Sequence, residues 1–178
     1  MRCKLTSNIS KESCQYSVAG IKSVYLINYD PANQFTPGTE GEIETITLPD
    51  NAKAYKIEAI DNTASWTDEI AENGNGGKYR VHTLNFTLSE YDYNLINQGD
   101  ALSLGKFTAV VVDKNGRAVV LGRNNGLSAT SFNYASGAAD ADASGWTVVM
   151  AGTEKEIGKL LKDESVITAV TDTTTVTD

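Results

Sequence analysis

Apolar residues in this chain recur mostly at every second position, in short runs separated by turn residues. Ile21, Ser23, Tyr25, Ile27 and Tyr29 alternate with Lys22, Val24, Leu26 and Asn28 until Asp30-Pro31 stops the run. In residues 42–48, Ile43, Thr45 and Thr47 alternate with Glu44, Ile46 and Leu48, and Pro49-Asp50-Asn51 then turns the chain. Period-two alternation of this kind predicts strands. The stretch 106–123, KFTAVVVDKNGRAVVLGR, breaks the rule, because Val110, Val111 and Val112 are apolar in succession. Such a run is too apolar for a strand with one wet face, and it predicts a hairpin covered on both sides. Its turn is Asn115-Gly116, the pair favoured by a type I′ turn, in which both central residues need positive φ.

The remaining chain divides by the same logic. Residues 54–60 and 65–72 read as a further pair, with Tyr55, Ile57 and Ala59 on one side. Trp66, Asp68 and Ile70 against Thr67, Glu69 and Ala71 is a weaker alternation and predicts an exposed strand. Asn73, Gly74, Asn75, Gly76 and Gly77 form a flexible loop tip. Residues 79–88 follow as a long strand, with His82, Leu84, Phe86 and Leu88 on one face. Together these segments predict a long hairpin projecting from the body.

Ser89 is placed to cap a short helix, with Glu90 and Asp92 in its first turn, Tyr91, Leu95 and Ile96 at helical spacing, and Gly99 at its end. Residues 127–134 and 146–151 read as strands, and 154–161 as a helical turn. The Thr-rich segment 166–178 reads as extended or disordered. The chain thus divides into an arm (1–19), a single β-rich domain (20–162) and a tail (163–178).

Composition narrows the function classes. A length of 178 residues suits one domain with a core of its own. The net charge of −8 argues against a surface that grips phosphates, which needs clustered Lys and Arg. No apolar run approaches membrane length, and the start lacks a signal-peptide pattern, which predicts folding in a cytosol. Cys3 and Cys14 are the only cysteines; a bridge between them is possible but not implied.

Asp140-Ala-Asp142-Ala-Ser144-Gly145 copies the first half of an EF-hand loop, but Ala151 stands where the bidentate Glu belongs and a strand follows, so a turn is favoured over a cation site. His82, the only histidine, lies mid-strand with no nucleophile motif nearby, and the 73–77 loop lacks the Lys-Ser/Thr of a phosphate loop. Trp66 and Trp146 sit in strand patterns, where core or interface is the favoured role over sugar stacking. No catalytic, cofactor or metal constellation emerges. Residue chemistry alone predicts a soluble β-rich domain that is not an enzyme.

A sharper expectation comes from features met in order: Gly20-Ile21-Lys22-Ser23-Val24-Tyr25-Leu26, the strand 79–88 leading into the helix, Val111-Val-Asp-Lys-Asn-Gly116, Leu121-Gly-Arg-Asn-Asn-Gly126-Leu127, Ser136-Gly137 before an acidic loop, Gly145-Trp146-Thr147 and Ala151-Gly-Thr-Glu154. In these the chain resembles small virion proteins from phages of Bacteroidetes hosts, similar in organisation to phage tail tube proteins. The resemblance implies a β-sandwich or partial barrel with one short flanking helix, assembled as stacked hexameric rings. In such tubes a long hairpin from each subunit joins a barrel around a lumen through which DNA passes without specific binding.

On this reading the protein belongs to the virion tail, is assembled in the bacterial host cytoplasm, and contacts other tail proteins but no membrane. Asp68, Glu69 and Glu72 would face the lumen as repulsive charges, and residues 73–77 would lie between rings. A head-decoration or neck protein, and a secreted carbohydrate-binding or adhesion module, are the competing expectations.

Overall fold

The computed structural model describes residues 4–10, 16–89 and 91–174, so Cys3, Cys14 and Glu90 lie outside the described residues. Strand β1 (Ile21–Asn28) runs into a small hairpin of β2 (Gln34–Pro37) and β3 (Ile43–Thr47), followed by β4 (Ala54–Ile57), β5 (Ser65–Glu72) and β6 (Lys78–Leu88). Helix α1 (Tyr93–Leu104) leads into β7 (Lys106–Asp113) and β8 (Ala118–Leu121). Then come β9 (Leu127–Ala135), β10 (Gly145–Glu154), β11 (Lys159–Leu160) and the four-residue helix α2 (Ser165–Thr168).

Strand β7 organises the sheet. One edge pairs with β1 along its length. The other edge is shared by β8, opposite residues 109–112, and by the start of β9, opposite Lys106 and Phe107. One half of the sheet therefore reads β4-β1-β7-β8-β11. Strand β9 leaves β7 after Ser128 and opens the second half, β9-β10-β6-β5. The two halves close over a shared core as a mainly β sandwich.

Two apolar clusters explain the valine run. Val24, Leu26, Val111 and Leu121 face Leu84, Phe86, Val148 and Met150 of the second half, with Leu102 of α1 beside them. On the opposite face, Tyr25, Ile27, Val110, Val112 and Val120 pack beneath Ile43 and Ile46 of the β2–β3 hairpin and Ile167 of α2. Every side chain from Val110 to Val112 is buried, as a strand covered on both faces requires.

The structure corrects several expectations. The β7–β8 turn is not type I′: Gly116 has φ 85°, while Asn115 stays out of the left-handed region. Gly116 N donates to Asp113 O and Asp113 N to Arg117 O, the three-residue loop in which a type I turn ends on a left-handed glycine. Asp113 selects it, because its Oδ1 accepts from Asn115 N at 2.9 Å and Arg117 N at 2.7 Å.

Strand β4 pairs with β1, not with β5. The β5–β6 hairpin is long but does not stand free, because β10 pairs with β6 from Arg80 to Leu88. Helix α1 starts one residue after its Asp92 cap, whose side chain accepts from Leu95 N at 2.7 Å, and runs through Gly99 to Leu104. Residues 154–161 hold the end of β10 and β11, not a helical turn.

The expected tail is folded as far as residue 172, and residues 175–178 lie outside the described residues. Ile167 is fully buried, and Ala54 N donates to Val170 O while Asp172 N donates to Ala54 O. The physical reason is the second core, which is open on one side until Ile167 and its neighbours Val166 and Val170 cover it.

Candidate functional site

Strand β5 is the outermost strand of the second half, and β6 is its only strand partner among the described residues. At the far end of the same half, β9 beyond Ser128 pairs only with β10 among the described residues. The half therefore ends at both sides in strands with no further strand partner among the described residues, and α1 packs against β9. The hairpin joining β5 to β6 closes by the same device as the β7–β8 turn. Asn73 N donates to Gly77 O, Gly76 N donates to Asn73 O, and Gly76 takes φ 74°. The Asn73 side chain accepts from Asn75 N at 3.1 Å and Gly77 N at 2.9 Å. The tip is thus an ordered turn.

The three acids expected to face a lumen go three ways. Asp68 turns into the protein, with its side chain only 8% exposed. Its Oδ1 accepts from Arg80 Nε at 2.7 Å and its Oδ2 from Gly158 N at 3.0 Å, so it is a structural charge and not a surface one. Burial alone would push the Asp68 carboxyl up; the bonds from Arg80 and Gly158 outweigh it and hold the group below the usual carboxylate range. Glu72 lies on the same side of β5 but beyond the core, and is exposed. Glu69 alternates to the outer face and is exposed.

His82 lies opposite Asp68 in the hairpin register and is 1% exposed. Its Nδ1 accepts from Gly122 N at 3.2 Å, so the neutral ring carries its proton on Nε2. That nitrogen stands 3.4 Å from Asp68 Oδ1 without making an aligned hydrogen bond. The ring ties β6 to the end of β8 through Gly122.

A second buried carboxylate is not foreshadowed in the sequence. Glu154, 1% exposed, accepts from Asn124 N at 3.0 Å and Asn125 N at 2.8 Å through Oε1, and from Asn124 Nδ2 at 3.0 Å through Oε2. Arg123 in the same turn pairs with Glu156 through both carboxylate oxygens, at 2.6 and 2.8 Å. The signal available is the Asn-Asn-Gly turn itself, whose exposed amides need an acceptor.

The outer face of the second half mixes hydroxyl and amide side chains with Tyr79, Val81, Val149 and alanines. Of the strand residues that alternate outward, Thr67, Thr83, Asn85, Asn133 and Thr147 are among its polar members. Glu69 is the only acid there, and no Lys or Arg shares that face. At one end of the sandwich, Trp146 stacks with Phe132 at 4.6 Å and with Tyr91 at 5.5 Å, while Tyr134 lies 5.2 Å away. Trp66 is half-buried and packs against the first core. Asp142 Oδ2 accepts from Ala138 N and Ala139 N, both at 2.8 Å, which ties its loop together and holds the carboxyl below its ordinary value. No group of three or more metal-ligating side chains occurs among the described residues.

No family model, curated protein or solved structure matches the chain.

Proposed function

We propose that this chain is a structural protein that joins copies of itself through the β9-β10-β6-β5 half, as a tail tube protein of a virion building stacked hexameric rings. The two edge strands of that half, neither with a further strand partner among the described residues, carry the reading. Its four strands are antiparallel throughout, so β5 and β9 run in opposite directions at its two ends. The β5 edge of one copy therefore meets the β9 edge of the next as an antiparallel pair, and the same contact repeats around a ring. Closure satisfies backbone groups that an isolated subunit leaves to water.

The outer face then becomes the lumen lining. Its hydroxyl, amide and apolar side chains, with Glu69 as the lone carboxylate, offer DNA no cation to bind. A carbohydrate-binding module is the second reading, favoured by the aromatic group in which Tyr91 is 61% and Tyr134 41% exposed.

Adjacent proline substitutions test the edge. Neighbouring N–H groups of a strand point to opposite sides, so of Glu69→Pro and Ile70→Pro one removes a bond to β6 and the other strikes the open edge. The edge variant is expected to melt like the wild type yet fail to form rings in sedimentation and negative-stain microscopy. A wild-type protein that stays monomeric at high concentration, or an edge variant that assembles normally, refutes the proposal.

A further inference from the structure

We propose that Asn73, at the tip of the β5–β6 hairpin, is a site of spontaneous self-modification that cyclises onto Gly74 and loses its side-chain amide. This stands on the turn alone and does not depend on assembly. Four Asn-Gly pairs occur in the chain: Asn73-Gly74, Asn75-Gly76, Asn115-Gly116 and Asn125-Gly126. Each has a glycine after the asparagine, so no side chain hinders approach of the backbone nitrogen to the asparagine carbonyl carbon.

The attacking nitrogen distinguishes them. Gly76 N donates to Asn73 O, Gly116 N to Asp113 O and Gly126 N to Gly122 O, so three of the four are committed to turn hydrogen bonds. Gly74 N makes no hydrogen bond among the described residues, as befits the second position of its turn.

The electrophile is also prepared. Asn73 Oδ1 accepts from Asn75 N at 3.1 Å and Gly77 N at 2.9 Å. Both bonds polarise the carbonyl and strengthen as charge gathers on that oxygen during attack, the arrangement of an oxyanion hole. By comparison, Asn115 Oδ1 accepts one amide, from Val18 at 3.1 Å.

The step balances without an added reagent until its last stage. A bond forms between Gly74 N and Asn73 Cγ, the Cγ–Nδ2 bond breaks, and Nδ2 departs as ammonia with the proton from Gly74. Water then opens the five-membered imide on either side, giving an aspartate or its β-linked isomer. Either product adds one negative charge to the tip, and the isomer lengthens the backbone of the turn by one atom.

The test is peptide mapping by mass spectrometry of full-length protein held at mildly alkaline pH. Imide, aspartate and isoaspartate are followed at all four pairs, beside a Gly74→Ala variant. A Cβ at Gly74 meets nothing within 4 Å, so that variant keeps the turn while crowding the attacking nitrogen. Conversion at Asn73 is expected to run about tenfold or more ahead of the other three pairs and to slow sharply in the variant. Conversion at Asn73 no faster than at Asn75, Asn115 or Asn125, or an unchanged rate in Gly74→Ala, overturns the proposal.

Discussion

Asp68→Ala separates a buried structural charge from a solvated one. The substitution removes the acceptor of Arg80 Nε at 2.7 Å and of Gly158 N at 3.0 Å. It also leaves His82 Nε2 without the carboxylate 3.4 Å away. Losing one partner of a fully buried pair costs about 3–5 kcal/mol. Arg80 keeps about a quarter of its side chain in water and retains a bond from Nη2 to the Asp68 carbonyl, so part of that cost is recovered.

The expected loss is about 2–3 kcal/mol, read as a lower urea midpoint at unchanged slope. A freely solvated carboxylate would change stability by less than about 0.5 kcal/mol. Arg80→Ala and the double variant complete a cycle whose coupling should exceed about 1 kcal/mol. The pH dependence supplies a second readout. The folded Asp68 pKa lies below its unfolded value of about 3.9, so its stabilisation is present above that pH and lost as pH falls through the folded value. The gap between wild type and variant should narrow over that window. A loss under about 0.5 kcal/mol with no coupling to Arg80 refutes the assignment.

Other expectations follow from the same packing. Glu154→Ala removes the buried acceptor of two amides of the half-buried Asn124-Asn125 turn and should cost about 1–3 kcal/mol in thermal or urea unfolding; a cost under about 0.5 would mean water replaces the carboxylate freely. Ile167→Ala should cost about 2–5 kcal/mol because the side chain is fully buried, whereas an extended tail would lose almost nothing.

What could be read in advance was what local pattern dictates. Three successive valines required cover on both faces of β7, and both faces are covered. Alternation along β5 correctly put Trp66, Asp68 and Ile70 on one side, but an aspartate between two apolar residues does not say which side is inward. The hairpin register supplies that answer, since the turn at 73–77 sets Asp68 opposite His82 and beside Arg80. Consecutive strands usually pair, which would join β4 to β5, but a longer-range contact with β1 prevails. Ile167 sits in a Thr-rich segment with no helical or strand period, and its burial depends on a gap formed by residues far away in sequence.

The second core has a consequence for synthesis. Most of its walls come from residues between Tyr25 and Val120, yet Leu161, Ile167 and Val170 complete it, and Ala54 is bridged to Thr171. A nascent chain emerging from the ribosome must expose that apolar surface until residue 170 has cleared the exit tunnel. During this interval a holdase chaperone, or premature association with another nascent copy, has its best opportunity to act.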